Sequence, residues 1–406
     1  MKGEQAMAHQ VVDGLPRAVV VEAVRTPMGR GKATGALAGV HAVDLLAQTF
    51  TGLMTRAGVD PALVDDVLVG CVSQAGEQAA TPGRQAWLAA GYPEHVPAVS
   101  IERKCGSGQQ AIDFAVQGIV SGAYDVAVAG GLESMSRVPM GSAVMGADPF
   151  GPLVHARYPD LTSQGVAAEL VAQRWGLTRT QLDDYSARSH ELAAQAADRG
   201  LFDRELLDIG TPDGSVGTDE TIRRGTTPAR LSELSPAFAT DASRERHPDL
   251  DWKITAGNSS QISDGAAALL LMSEQKAAEL GLRPRARVYV SSVCGADPVL
   301  MLTAPMPATE RVLKRTGLNV DDIDAFEVNE AFAPVPLAWA HDTGAPLDRV
   351  NPRGGAIALG HPLGASGARL MTTLIHHLED AGKRLGLQTM CEAGGMANAT
   401  VVEVLA

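Results

Sequence analysis

The order of elements in the first third of this chain recurs in its last third, and that recurrence restricts the fold more than any single motif does. In the first third, Ala18 to Val24 reads as a strand, Val43 to Ala57 as a helix and Val67 to Cys71 as a buried strand. A helix near Pro82 to Ala90, a strand Ala98 to Ile101 and an amphipathic helix Gly106 to Val120 follow. In the last third the series runs strand Ala286 to Val293, helix Pro307 to Thr316, strand Ala325 to Val328 and a helix from Glu330. A glycine-rich turn, Gly354 to Gly367, then opens a helix, and two strands close the chain at Leu387 to Cys391 and Thr400 to Val404. Strand Val67 to Cys71 corresponds to Ala325 to Val328, and the Cys105 turn and helix correspond to the His361 turn and helix. Such a pattern predicts a duplicated α/β unit whose mostly parallel strands are covered on both faces.

The alternation breaks after Gly130-Gly-Leu-Glu-Ser-Met-Ser136 and resumes at Ile254. Between them lies a stretch rich in proline, glycine and charge, with helices expected over Ser163 to Trp175 and from the Thr178–Gln181 capping box to about Arg199. The expected division is a loose tail over 1–16, an N-terminal half made of 17–136 and 253–280, an inserted loop domain over 137–252, and a C-terminal half over 281–406. With 406 residues the chain is too long for one small core.

A net charge of −13 repels phosphate over most of the surface, which excludes nonspecific nucleic-acid binding, so any anionic ligand must be met by local arginines. No apolar run is long enough for a membrane span, the N-terminus has no charged-then-apolar leader, and a cytoplasmic protein is expected. Cys71, Cys105, Cys294 and Cys391 are far apart with no short paired spacing, so neither a disulfide framework nor a metal site is expected.

Cys105 falls at a helix N-terminus, where unpaired N–H groups and the positive end of the helix dipole favour thiolate over thiol. Gly106 and Gly108 would let a substrate carbonyl approach the backbone there. The competing reading is a small buried filler. Gly106-x-Gly108-x-x-Ala111 also matches a dinucleotide fingerprint, but Asp125 precedes its strand rather than ending it, at the wrong end to reach a ribose. Two equivalent turns carrying Cys105 and His361 would meet at one edge of the paired sheets. Asn329, after a buried strand, reads either as a helix N-cap or as a site residue, and Cys391, before a flexible turn, as a structural cysteine or an acid/base.

Taken together, Cys105-Gly-Ser-Gly, Ala129 to Ser136, Thr255-Ala-Gly-Asn258 with Asp264-Gly-Ala-Ala267, Asn329-Glu-Ala-Phe-Ala333, Gly360 to Gly367 and Cys391-x-x-Gly-Gly395 resemble the thiolase family, in family order and over nearly the whole chain. The resemblance implies two βαβαβ-type halves with mixed five-stranded sheets covered by helices, plus an inserted loop domain, in a homodimer or homotetramer. It implies cleavage of 3-oxoacyl-CoA by coenzyme A, a co-substrate rather than a resident cofactor, through an acyl-cysteine. Cys105 would be the nucleophile, His361 its base and Cys391 the acid/base at the substrate α-carbon. His361 with a water held by Asn329 would stabilise one oxyanion, and the backbone N–H groups of Cys105 and Ala393 the other. Arg223, Ser260, Gln164, Ala256, Gly257 and Phe332 would contact substrate or coenzyme A.

Three departures from the family pattern stand out. Ala393 replaces a usual glycine, Glu102 a common asparagine, and Ser163-Gln164 a His-Met pair that lines the acyl pocket of short-chain biosynthetic members. The last points to a degradative enzyme for longer or bulkier chains, with an acetoacetyl-CoA thiolase as the alternative. A ketoacyl synthase would lack the Cys391 motif, and a non-catalytic CoA-ester-binding subunit would have lost one of Cys105, Asn329, His361 and Cys391.

Overall fold

The computed structural model describes residues 17–405, so the tail expected over 1–16 lies outside the described residues. Among the described residues there are twelve strands: β1 (Ala18–Arg25), β2 (Gly29–Arg30), β3 (Asp66–Gly70), β4 (Ala98–Ile101), β5 (Val126–Ser134), the hairpin pair β6 (Ile209–Thr211) and β7 (Gly214–Val216), β8 (Ser263–Ser273), β9 (Ala286–Gly295), β10 (Ala325–Val328), β11 (Leu385–Glu392) and β12 (Met396–Val404). All but the hairpin join one ten-stranded sheet in the order β10-β11-β12-β9-β1-β8-β5-β3-β4, with β2 also on β8. The hinge of this sheet is narrow, since β1 and β9 pair only at Val19–Arg287 and Val20–Ala286.

On either side of that hinge the two halves repeat. Strand β3 lies between β4 and β5 in parallel, and β10 pairs β11 in parallel while Phe326 bridges Val350 where the counterpart of β4 would run. The second half therefore has four strands plus that single bridge. The sheet is also less parallel than the alternation of elements predicts. Strand β8 returns from the inserted segment against β1 and β5, and β12 folds back on β11 through a short turn, so these ladders are antiparallel.

Strand β8 explains why the sheet is buried on both faces. Ala266, Ala268, Leu270 and Met272 point into one core with the helices Ala42–Ala57 and Pro82–Ala89, while Ala267, Leu269 and Leu271 point into another with the helices Ser107–Val120 and Leu363–Ala381. Side chains alternate along a strand, so a continuous apolar run is what two covered faces require. A third core packs helices Pro305–Thr316 and Pro334–Thr343 on the far side of the second half. The two central helices thus lie between the halves, and each begins at a turn that carries a candidate catalytic residue.

Within the inserted segment, Ser163 caps helix Gln164–Arg174, and the Thr178–Gln181 capping box starts helix Arg179–Asp198. One predicted helix is displaced: it begins at Pro334, not at Glu330. The backbone ahead of it is committed elsewhere, with Ala333 N–H donating to Asn258 O at 2.9 Å and Ala331 O accepting from Ser260 N–H at 3.0 Å. The Glu330 carboxylate is buried and accepts from Tyr185 Oη, Ser189 Oγ, Asn351 Nδ2 and the Ile357 N–H, which pins the segment as an irregular loop. Asn329 is consequently not a helix cap.

Candidate active site

Cys105 ends a turn that Ser107 locks from below. Its hydroxyl donates to Lys104 O at 2.6 Å and accepts from Arg103 N–H at 2.9 Å, and Lys104 is held at φ 47°, a conformation that costs a non-glycine residue energy. The nucleophile candidate is 4% exposed. Burial pushes its thiol up to about 12, with Glu392 adding to the rise, while the N–H groups of Cys105 itself and of Ala393 pull the other way. Desolvation outweighs those two N–H groups, so the buried thiol stays protonated near neutral pH, where the sequence pointed to a thiolate. Charging this sulfur needs a base.

His361 can be one. Burial and then Arg369 hold its imidazole down to about 3, so the ring is neutral. Ser366 Oγ lies 2.6 Å from Nδ1 and itself donates to Pro362 O at 2.9 Å, so it accepts from Nδ1–H. That hydrogen-bond pattern assigns the tautomer with a free lone pair on Nε2. Asn329 Nδ2 stands 3.4 Å from the same Nε2, and Asn329 Oδ1 is buried with no protein partner. Cys391, at the end of β11, is buried and raised well above the ordinary thiol range by desolvation, then by Cys105 and by Glu392. Ala393 follows in the turn whose positive φ values fall at Gly394 and Gly395, so the alanine at 393 requires no left-handed backbone.

Gly106 and Gly108 do not open the site to substrate, as the sequence suggested. A Cβ on Gly106 would lie 1.9 Å from Glu392 Oε1, and one on Gly108 would lie 2.6 Å from Gly364 O. Both glycines exist for packing, the first against a carboxyl group and the second against the histidine helix.

The remaining candidates fall around two cavities. One of about 210 Å³ is lined by Arg223, Arg224, Arg230, Ala256, Gly257 and Gln261. A second, about 780 Å³, opens beside Ala393 and Gly394 and is lined on the insertion side by Leu161, Ser163, Gln164 and Val166. Gln164 therefore belongs to the second cavity rather than the first. Phe332 is buried edge-on to Phe238, in the apolar cluster that contains Cys391, and Ser260 is held through its backbone to Ala331.

Sequence reasoning missed the residues that brace these groups. Gln261 accepts from Arg223 Nη2 at 3.2 Å, donates to Ile357 O and Ala358 O, and offers its own carbonyl to His361 N–H at 3.0 Å, so it ties the arginine cavity to the histidine turn. Glu133 accepts from the N–H groups of Val72, Ser73 and Gly364. Glu133, Glu330, Ser366 and Glu392 all sit inside motifs quoted above, and a lone polar residue embedded in an apolar, glycine-rich run was the available signal.

The family model for the thiolase N-terminal domain matches residues 18–275, and that for the thiolase C-terminal domain matches 282–404. The chain belongs to the thiolase family. A steroid 3-ketoacyl-CoA thiolase, FadA6, of Mycobacterium tuberculosis is 48% identical over 401 residues, covering 96% of this chain and 95% of the relative. A 3-ketoacyl-CoA thiolase of Saccharophagus degradans is 43% identical, covering 95% and 97%. The crystal structure of the Bacillus anthracis acetyl-CoA acetyltransferase superposes with a TM-score of 0.85 at 35% identity, over 96% of this thiolase and 99% of that chain. The enzyme is an acetyl-CoA C-acyltransferase with 3-ketoacyl-CoA thiolase activity, and coenzyme A is its co-substrate. Among the described residues, no helix is long and apolar enough to cross a membrane.

Proposed function

We propose that this thiolase works degradatively on 3-oxoacyl-CoA chains longer or bulkier than acetoacetyl, through an acyl intermediate on Cys105. The observation that carries the substrate reading is the cavity of about 780 Å³ beside Ala393. A volume in the upper part of the range for ligand pockets exceeds what a four-carbon chain fills. The kinship with a steroid thiolase supports the same reading.

In this mechanism the Cys105 proton passes to His361 Nε2, and the thiolate attacks the 3-oxo carbon. The bond between C2 and C3 breaks, its electron pair goes to C2, and Cys391 gives its proton there as acetyl-CoA leaves. Free coenzyme A then yields its proton to the Cys391 thiolate and attacks the acyl-Cys105 thioester. The departing Cys105 sulfur recovers its proton from His361. Asn329 and His361 stabilise one oxyanion, and the Cys105 and Ala393 N–H groups the other. Both of those N–H groups already engage the Cys105 sulfur, which supports the second assignment. Arg223, Ala256, Gly257 and Ser260 are assigned to coenzyme A, with the three arginines of the smaller cavity suited to its phosphates. Gln164 and Phe332 are assigned to the acyl side. The division into a duplicated pair of halves and an inserted loop domain, and a cytoplasmic homodimer or homotetramer, complete the reading. Strand β4, at the edge of the sheet with Val99 42% exposed, supports association there.

The test is a panel of 3-oxoacyl-CoA substrates graded in length and branching, assayed with free coenzyme A. We expect kcat/KM to rise beyond four carbons, at roughly 0.8 kcal/mol per methylene buried. A maximum at acetoacetyl-CoA would refute the proposal.

A further inference from the structure

Strand β11 places Gln388, Met390 and Glu392 on the face toward the central helices, with Cys391 on the other face. Glu392 is fully buried, neither carboxyl oxygen makes a well-formed hydrogen bond, and the one N–H group directed at it is that of Asn398. It is packed closely under the nucleophile turn, where a Cβ at position 106 would lie 1.9 Å from its Oε1. An apolar side chain of similar size would fill the same space without desolvating a carboxyl group, so the acid lowers stability where it stands. Groups that cost stability next to a reactive turn are candidates for function.

We propose that Glu392 is a positioning residue for the two thiols: its carboxylate, under the Cys105–Gly106 turn and one residue along β11 from Cys391, penalises any thiolate that is not balanced by an imidazolium on His361. The inference rests on Cys105 being the nucleophile. Charged and titratable groups reach Glu392 from every neighbouring element. Arg103 and Glu102 come from the nucleophile turn, Asp113 from the central helix, Cys294 from β9, and the two reactive cysteines from the site itself. Asn398 is adjacent on β12, with its amide turned to Asp113 and Gln110. Arg103 is the cation that favours the charged form, while burial prevails and pushes Glu392 up to about 8. The carboxyl is therefore mostly neutral below that pH and charged above it. As it ionises it raises both thiols further, so alkaline pH alone does not release a free Cys105 thiolate. The sulfur becomes nucleophilic when proton transfer to His361 creates a cation beside it, which couples its reactivity to the assembled site.

The experiment measures alkylation of Cys105 by iodoacetamide in the full-length enzyme, with the modified peptide identified by mass, in wild type and Glu392→Gln. Between about pH 6.5 and pH 9, the ratio of the variant's rate constant to that of wild type should climb from near one to on the order of tenfold, the effect of about one pKa unit. A structural role alone changes the ratio by the same factor at every pH, so a flat or falling ratio overturns the proposal. Glu392→Met, which also removes the charge while keeping the volume, is read in the same way if the glutamine variant does not fold. In wild type alone, the logarithm of the rate should flatten near pH 8 before rising again, and a straight line of unit slope through that region overturns the proposal without any variant. Acylation of Cys105 by a 3-oxoacyl-CoA is followed separately. Its absence would remove the nucleophile assignment and leave the alkylation ratio readable.

Discussion

Replacing Ser366 with alanine isolates what holds the imidazole proposed as the base in its working form. The hydroxyl is 2.6 Å from His361 Nδ1, donates to Pro362 O at 2.9 Å, and is 1% exposed. Without it the Nδ1–H is buried with no acceptor, at a cost of about 1–3 kcal/mol. The alternative tautomer escapes that cost by moving the proton to Nε2, where it faces Asn329 Nδ2 and can no longer accept the Cys105 proton. The imidazolium formed during acylation must carry Nδ1–H without its acceptor while the resting ring can avoid doing so, so the barrier rises by about that amount, and at about 1.36 kcal/mol per decade the acylation rate should fall roughly 5- to 150-fold. Rapid-quench measurement of the first half-reaction with a 3-oxoacyl-CoA reads this directly, free of the later coenzyme A step. Ser366→Thr, which restores an acceptor hydroxyl, should recover most of the loss. If Ser366→Ala acylates within about twofold of wild type, the tautomer argument fails, whatever happens to its melting temperature.

Cys391→Ala should abolish carbon–carbon cleavage and α-proton exchange while Cys105 remains acylable by a simple acyl-CoA, because acyl transfer to sulfur moves no α-proton. Near-normal cleavage by that variant would show that the acid lies elsewhere. Stability should have its maximum at mildly acidic pH. His361, His190 and His377 are held by burial to about 3, 4 and 4, below their unfolded value near 6.5, so unfolding takes up protons and stability falls as pH drops from about 6.5 toward that range. Glu327 and Glu392 are raised to about 8 from an unfolded value near 4.5, so their contribution is present at low pH and is lost as pH rises toward about 8. Melting temperatures scanned across pH test both limbs, and a value still climbing from pH 6.5 to pH 9 would contradict the assignment.

The parts of the fold that were legible in the sequence are those where one physical rule dominates. The Thr178–Gln181 capping box marked where a helix starts, and the duplicated order of elements pointed to two halves. The direction of β8 and β12 was not legible, because it depends on where the inserted segment delivers the chain and on a turn of three residues, neither of which leaves a periodic trace. The late start of the helix at Pro334 was hidden for a related reason. Glu330 reads as a good helix former, yet four hydrogen bonds from residues distant in sequence hold it in a loop. At the site, a local rule about helix dipoles carries no information on burial, and Cys105 is only 4% exposed.

The glycines carry the longest step from sequence to chemistry. Gly108 faces Gly364 O, Gly131 would bring a Cβ within 1.9 Å of that same oxygen, and Gly367 would bring one within 2.1 Å of Gln109 N. These contacts let the helix after Cys105 and the helix after His361 approach backbone to backbone between the two halves. Any larger residue would push apart two turns that the proposed mechanism requires to bring a sulfur and an imidazole within reach of one substrate carbon, and displacements of about 1 Å can cost 10²-fold in rate. The glycine-rich motifs therefore encode a distance between two helices. The prediction that follows is specific: Gly108→Ala should lower the acylation rate far more than it lowers the affinity for coenzyme A, because the cavity lined by Arg223, Ala256 and Gly257 does not depend on that contact. Equal losses in both would mean that the substitution unfolds the site as a whole and that the spacing argument is wrong.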